Sequence, residues 1–174
     1  MRLESTEIIN RPVEEVYKLV RDDLAKLVPY MPNVEKIDVK KRSEKNGKVE
    51  IINHWYAKAE IPSLIKKFIN PDLLSWKDYA TWDDERYCVD FKLESTLGKD
   101  LYDCTGTNTF KAKGKGKTEL KISCEIYIHA DRVPGVPRIL ASKVLPAVEG
   151  LIEKILAPNL TSLGKGLNNY FDAN

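Results

Sequence analysis

Asp78 is the residue whose type and setting point most directly to chemistry. Residues 74–82 alternate so that Trp76, Asp78 and Trp82 share one face of a predicted strand. A carboxylate on a buried face must be paired, protonated or functional, because its desolvation alone costs too much free energy. Two interpretations follow. Asp78 is a polar anchor inside a binding site, or it lies at a rim or bulge while the tryptophans fill the core.

Two asparagines are the other polar candidates. Asn53 alternates with Trp55 on one face of a preceding predicted strand, so an inward orientation would combine aromatic walls with a few polar groups. Such a lining is typical of small-molecule sites. Asn159 follows Pro158 within the apolar face of a predicted C-terminal helix. Its amide either satisfies a carbonyl that the proline leaves without a partner or contacts a ligand.

Several familiar catalytic patterns are absent from the sequence. His54 and His129 are the only histidines, and neither has metal-ligand spacing to the cysteines. No serine nucleophile elbow occurs. Gly116-Lys117-Thr118 echoes the end of a phosphate-binding loop, but Lys111 occupies the position of the required earlier glycine. The sequence therefore predicts no metal and no cofactor.

Length and composition describe one ordinary globular domain spanning residues 1–174. The net charge of +2 does not steer the chain toward nucleic acid or an anionic membrane. No hydrophobic signal segment and no apolar run of membrane-spanning length is present. Three widely spaced cysteines, Cys88, Cys104 and Cys124, favour reduced thiols in the cytoplasm over a disulfide framework.

The elements that position the candidate residues follow from hydrophobic periodicity. The pattern predicts a strand at 2–9, two short helices between residues 11 and 32, and strands at 34–41, 48–57, 74–82, 86–95, 101–111 and 117–129. Asn46-Gly47 is a strong hairpin signal between the second and third strands. The fifth strand is predicted to place Tyr87 on the same face as Phe91. Apolar residues at every second position from Leu120 to Ile128 indicate an antiparallel sheet with one packed face.

The run from about Pro137 to Phe171 predicts one long amphipathic helix, because its apolar residues recur at three- and four-residue spacing. Pro146 and Pro158 should kink or segment this helix, since each removes a backbone donor and crowds the preceding turn. A helix this apolar needs a large partner surface. We therefore expect it to lie in a groove made by everything before it.

The opening strand, the motif NRPVEEVYKLVRD, the meander of strands and the long final helix together resemble the START-like helix-grip superfamily. That superfamily includes lipid-transfer domains, pollen-allergen-like proteins and polyketide cyclases or aromatases. The resemblance implies an α+β fold in which a curved seven-stranded antiparallel sheet wraps around the long C-terminal helix, with two short helices after the first strand. It also implies a cavity for an apolar ligand between sheet and helix. The residues expected to line this cavity are Asn53, Trp55, Trp76, Asp78, Phe91, Tyr102, Ile122, Cys124, Val148, Ile152 and Asn159.

The favoured function is the binding or transport of a hydrophobic small molecule, lipid-like or aromatic. The alternative is a cyclase, aromatase or dehydratase in which Asp78 moves protons and Asn53 or Tyr102 orients an oxygen. The sequence supplies few convergent acid–base groups for that alternative. A third hypothesis is a protein-interaction module, based on small residues seven apart on the outward side of the helix: Gly150, Ala157 and Gly164.

Two segments are candidates to cover the cavity mouth. Residues 60–70 predict a short amphipathic helix that packs on its own domain, acts as a lid or, through residues 61–69, makes a transient membrane contact. The other candidate gate is the turn-rich loop containing Val133, Pro134, Val136 and Pro137. The sequence leaves the oligomeric state and the identity of the ligand open.

Overall fold

The computed structural model describes residues 1–58, 60, 63, 74–96, 100–132 and 136–174. The side chains at 130, 152, 155, 156 and 159–161 lie outside that description. The predicted lid at 60–70, apart from Glu60 and Ser63, therefore falls outside the described residues, and so do Val133 and Pro134 of the candidate gate.

Seven strands form one antiparallel sheet among the described residues, in the order β1-β7-β6-β5-β4-β3-β2. The strands are β1 Arg2–Ile9, β2 Val34–Lys45, β3 Lys48–Ala57, β4 Ser75–Asp83, β5 Cys88–Ser95, β6 Tyr102–Ala112 and β7 Thr118–Ile128. The helices are α1 Val13–Asp22 and α2 Ala141–Ala173, with 3-10 helices at Leu24–Tyr30, Ala130–Arg132 and Arg138–Leu140. The predicted α+β class, the seven strands and the long final helix are confirmed.

The meander is built from turns that the sequence specifies. Asn46 and Gly47 both have positive φ, at 52° and 72°, as a two-residue hairpin requires. Tyr87 also has a positive φ of 47° and lies in the turn before β5. The prediction that Tyr87 belongs to the fifth strand is therefore wrong, because β5 begins one residue later, although the Tyr87 ring still packs against the first core cluster. Register shifts in β2 near Val34 and Val39 mark irregularities at the sheet edge.

A first core cluster packs α1, the first 3-10 helix and the C-terminal half of α2 against one end of the sheet. Its centre is Tyr17, whose ring makes edge-to-face contacts with Trp82, Tyr87 and Phe110 at centroid separations of 5.2, 5.1 and 5.4 Å. The Tyr17 hydroxyl lies at the edge of this apolar cluster and donates a hydrogen bond to Asp84 Oδ1 at 2.9 Å. These contacts seal that end of the fold.

A second core cluster seals the opposite end, where the N-terminal half of α2 packs through Val144, Val148 and Leu151. The predicted single long helix is confirmed, since it continues through Pro146 and Pro158 and neither proline divides it into segments. Its two halves are thus held by different clusters.

Along its length α2 runs closest to β1. A Cβ at Gly164 would lie 2.4 Å from Cγ of Glu7, so only glycine permits this approach. Gly164 is buried against β1, which contradicts its predicted place on the outward side of the helix. Gly150, by contrast, has open space around it. The hypothesis of a continuous small-residue surface for another chain is therefore not supported at Gly164.

Candidate functional site

The middle of the sheet's inner face is incompletely filled. Along β3 to β7 every second residue faces inward, and directly paired inward residues form rows that run across the strands. The rows at the two ends of the strands are buried in the two core clusters. In the middle, Trp55, Asp78, Phe91 and Asn108 face the α2 side yet remain partly exposed. An inner face packed completely by a helix would bury them. We call this incompletely packed part of the inner face, between the two clusters, the inner hollow.

Asp78 is the most unusual group in this hollow. It pairs directly with Asn53 across β3 and β4. Asn53 Nδ2 and Trp55 Nε1 each donate a hydrogen bond to Asp78 Oδ2, and both bonds are long at 3.4 Å. The other oxygen, Oδ1, is covered and has no hydrogen-bond partner among the residues that the structure describes. Although the residue retains some exposure to the hollow, its carboxyl group is deeply enclosed.

This enclosure determines the protonation of Asp78. Desolvation raises its pKa from the ordinary 3.8 to about 6, and the hydrogen bonds from Asn53 and Trp55 oppose that rise only in part. No cation faces the carboxylate among the described residues. Asp78 thus lies inside the protein and not at a rim, while its role as the polar anchor of a binding site stays a prediction. Near neutral pH it can hold or release a proton.

Within the described part of the chain, two further polar atoms on the inner face are covered and lack a hydrogen-bond partner: Trp82 Nε1 and Asn108 Oδ1. Buried polar atoms without partners are uncommon in proteins, and each has a desolvation cost of about 1–3 kcal/mol. Asn108 was not predicted as a site residue. The alternation of β6, which also turns Cys104 and Phe110 inward, was the signal that could have identified it.

Aromatic side chains wall the hollow. Trp55 and Trp76 stack at a centroid separation of 5.7 Å and an interplanar angle of 13°. Phe91 lies over Gly106, where an added Cβ would come within 2.4 Å of the Phe91 ring. Trp55 contacts both core clusters and so spans the gap between them.

The structure places most of the predicted lining residues together on the inner face. Tyr102 and Cys124 lie in the second core cluster with Trp76 and Val148, and Ile122 lies in the first. Burial raises the pKa of the Tyr102 phenol, which keeps it neutral. The side chains of Ile152 and Asn159 lie outside the described residues. Ligand binding by all these residues stays a prediction.

A serine–histidine pair on the outer face is not a nucleophilic site. Thr96 Oγ1 donates to the Ser75 carbonyl at 3.0 Å, so at 2.7 Å it must accept the Ser75 hydroxyl proton. Ser75 Oγ then accepts from His54 Nε2 at 3.2 Å, and His54 Nδ1 accepts from Tyr56 at 3.0 Å. With this tautomer His54 offers no lone pair to Ser75, so it cannot act as the base that a serine nucleophile requires.

A shallow groove of about 640 Å³ also lies on the outer face of β4–β7. It is wide open, and its lining includes polar side chains that already have partners, such as Thr107, which donates to Asp90 Oδ1 at 2.6 Å. The covered, unpartnered polar atoms lie on the opposite face of the sheet. We therefore place the candidate site in the inner hollow.

Neither a metal centre nor a membrane span emerges from the part of the chain that the structure describes. No group of three or more His, Cys, Asp or Glu side chains is arranged there to hold a metal ion. No helix there is both long and apolar enough to cross a membrane. The loop candidate for a gate is described only from Val136 onward, and Val136 is buried in the second core cluster.

Comparison with solved structures identifies chains of the same architecture. The protein TTHA0849 from Thermus thermophilus superimposes with a TM-score of 0.63 at 21% identity, covering 98% of this chain and 99% of that one. The Zhui aromatase/cyclase from a Streptomyces species gives a TM-score of 0.65 at 14% identity, covering 98% and 95%. Norcoclaurine synthase from Thalictrum flavum gives 0.54 at 18% identity, covering 95% and 84%. No protein-family model and no curated protein matches the sequence.

Proposed function

Because the chain has the helix-grip fold of the START-like superfamily, we propose that it binds a hydrophobic small molecule, lipid-like or aromatic, in the hollow between the sheet and α2. The observation that carries this proposal is the covered, unpartnered Oδ1 of Asp78 within walls formed by Trp55 and Phe91. A carboxyl oxygen in that setting is satisfied by a ligand that donates one hydrogen bond and is otherwise apolar.

The energetics favour a guest over an empty hollow. An unpartnered buried acceptor has a desolvation cost, and a ligand donor that reaches Asp78 Oδ1 offsets it. Aromatic rings of the ligand can stack on the walls, and such contacts contribute about 0.5–1.5 kcal/mol beyond area burial. Two proteins with this fold, the aromatase/cyclase and norcoclaurine synthase, carry the names of enzymes that act on small molecules. Their names support the proposal that this fold binds a small molecule here.

A second candidate is an enzyme of the cyclase, aromatase or dehydratase kind. The observation that favours it is the pKa of Asp78, raised to about 6, because a general acid–base works best when its pKa lies near the operating pH. Tyr102, neutral and buried in the second core cluster, would orient a substrate oxygen. Turnover that is lost in Asp78→Asn while substrate affinity persists would support this candidate. Unchanged turnover would exclude Asp78 from catalysis.

We also propose that residues 1–174 act as one domain in the cytoplasm. All three cysteines are free, which suits a reducing compartment. Transient membrane contact through residues 61–69 remains a hypothesis from the sequence, since almost all of that segment lies outside the described residues.

The binding proposal is tested with N-phenyl-1-naphthylamine, a neutral aromatic probe that carries one N–H donor. At about pH 8, where Asp78 is ionised, its fluorescence should rise on binding to the wild type. Asp78→Asn should weaken probe affinity about fivefold, because a hydrogen bond to a charged acceptor is roughly twice as strong as one to a neutral acceptor.

The matched control is Asp90→Asn, which makes the same change on the outer face, in the strand next to Asp78. It should leave probe affinity unchanged. Native mass spectrometry of freshly purified protein gives an independent readout, namely any bound small molecule. A wild type that neither enhances probe fluorescence nor retains a small molecule would refute the proposal.

A further inference from the structure

The carboxyl group of Asp78 lies in a part of the inner face where the sheet supplies no cation. Directly paired inward residues form three consecutive rows around it, and none of their members is Lys, Arg or His. The rows consist of Trp55, Trp76 and Ser95, then Asn53, Asp78, Leu93, Cys104 and Ile126, then Ile51, Ala80, Phe91, Gly106 and Cys124. Lys77, which precedes Asp78 in β4, lies on the outer face in the row of His54 and Glu94. The sheet thus separates the charge of Asp78 from the nearest lysine of its own strand.

The described part of α2 supplies no cation to this place either. Its lysines, Lys143, Lys154 and Lys165, are all exposed, and so are its acidic residues. Apart from burial, the groups that act on the Asp78 carboxyl are Asn53 and Trp55, and both are neutral. Within the described residues, the ionised carboxylate therefore has no counter-charge.

The existing hydrogen bonds compensate this carboxylate poorly. Asn53 Nδ2 and Trp55 Nε1 both donate to the same oxygen, Oδ2, at 3.4 Å. Good N–H···O hydrogen bonds are shorter, at roughly 2.7–3.2 Å. Oδ1 is covered and has no hydrogen-bond partner in the described part of the chain. Buried charges in proteins are ordinarily paired, and a buried ion pair that lacks one partner leaves an uncompensated charge. Ionised Asp78 has the environment of one half of such a pair.

We propose that the ligand of the inner hollow is a hydrophobic amine, whose protonated ammonium group donates a hydrogen bond to Asp78 Oδ1 and supplies the missing positive charge. This inference rests on the proposed function, because it adds a chemical class to the hydrophobic molecule that the inner hollow binds. An ammonium group is compact and carries three donors. The apolar part of the ligand packs against the indoles of Trp55 and Trp76, which stack on each other beside the carboxyl.

A cation suits this site better than a neutral donor does. A hydroxyl would satisfy Oδ1 but would leave the negative charge of Asp78 uncompensated. A hydrogen bond between two charged groups is shorter and roughly twice as strong as one between neutral groups. Folding has already desolvated the carboxylate, so binding adds only the desolvation of the ammonium. The protein therefore enters the complex with half of the ion pair preorganised.

The experiment compares 2-(1-naphthyl)ethylamine with 2-(1-naphthyl)ethanol, which has the same aromatic part but a neutral hydroxyl donor. Equilibrium dialysis at about pH 8 measures the binding of each compound directly. At this pH the amine is protonated, since an alkyl ammonium such as that of lysine has a pKa of about 10.4, and Asp78 is ionised. Wild type should bind the amine about tenfold more tightly than the alcohol, because only the amine forms a charge-assisted hydrogen bond with the carboxylate.

Two variants test whether Asp78 is the origin of this preference. Asp78→Asn removes the negative charge and nearly preserves the shape of the side chain, so it should bind the amine no more tightly than the alcohol. Asp90→Asn makes the same change on the outer face of the next strand and should keep the wild-type preference. That control excludes a general attraction of cations to the protein. Circular dichroism checks that both variants fold, and the wild-type comparison needs no variant.

The outcomes distinguish this inference from the function on which it rests. If wild type binds the alcohol as tightly as the amine, the amine inference fails while the binding of a hydrophobic molecule stands. A preference for the amine that persists in Asp78→Asn, or that disappears in Asp90→Asn, also overturns the inference. If wild type binds neither compound, the proposed function fails together with it.

Discussion

Replacement of Asp78 by asparagine should stabilise the protein at neutral and alkaline pH. The pKa of Asp78 is raised in the folded state from 3.8 to about 6 by desolvation. A group with a raised folded pKa contributes stability below its unfolded pKa and loses that contribution as the pH rises through its folded pKa. At about 1.4 kcal/mol for each unit of pKa, the difference between 3.8 and about 6 corresponds to about 3 kcal/mol. The ionised carboxylate therefore destabilises the empty protein above about pH 6.

The substitution removes this pH dependence but introduces an amide N–H₂ where Oδ1 is unpartnered, at a cost of about 1 kcal/mol or more. That cost does not depend on pH. The informative quantity is therefore the change in unfolding free energy between about pH 4 and about pH 8, which should be more positive in Asp78→Asn than in wild type by about 2–3 kcal/mol. Contributions from all other titrating groups are common to both proteins and cancel in this comparison.

Urea unfolding followed by far-ultraviolet circular dichroism measures this quantity, because the signal does not depend on the tryptophans beside Asp78. Asp90→Asn is the control, since Asp90 is exposed on the outer face. It should track the wild type far more closely. If wild type and Asp78→Asn give parallel stability profiles across this pH range, the carboxyl is hydrated and the reasoning about a desolvated anchor fails.

Two further predictions concern packing and the first core cluster. Gly164→Ala should lower the unfolding free energy by about 1–2 kcal/mol, because the new Cβ would overlap Glu7. The cost of relieving this overlap should exceed the stability gained from the higher helix propensity of alanine. Gly150→Ala, which meets open space, should instead raise the unfolding free energy by up to about 1 kcal/mol, and a loss at both glycines would contradict this account. Tyr17→Phe removes the 2.9 Å hydrogen bond to Asp84 and should cost about 1–2 kcal/mol in urea unfolding, whereas an unchanged midpoint would show that the bond contributes nothing.

Periodicity and turn chemistry were sufficient to predict the strands and the long helix, and the resemblance to the helix-grip superfamily supplied their arrangement. The alternation from Leu120 to Ile128 matches the buried positions of β7, and Asn46-Gly47 lies at the predicted hairpin. The errors arose where one residue changes the direction of the backbone or where two elements meet. Tyr87 continues the apolar alternation but adopts a positive φ, and the local sequence pattern does not predict that conformation.

The candidate site was predictable in part. Asp78, Asn53 and Trp55 follow from alternation on β3 and β4, and direct pairing brings the first two together. The direct pairing of Gly106 with Cys124 depends on the register of β6 against β7, which the hydrophobic pattern does not specify to the residue. Gly164 has the same limitation, because its burial depends on where α2 meets β1 rather than on its place in the helical repeat.

The stacked indoles of Trp55 and Trp76 should make the intrinsic fluorescence of the protein sensitive to ligand binding. Their rings lie close and nearly parallel beside the open space, whereas the third indole, Trp82, is locked edge-on against Tyr17 in a sealed region. Fluorescence from this pair should change when a ligand enters the inner hollow, whereas fluorescence from Trp82 should change only when the protein unfolds. The substitution Trp82→Phe would isolate the signal of the Trp55–Trp76 pair. Comparison with the wild type would then separate ligand binding from unfolding.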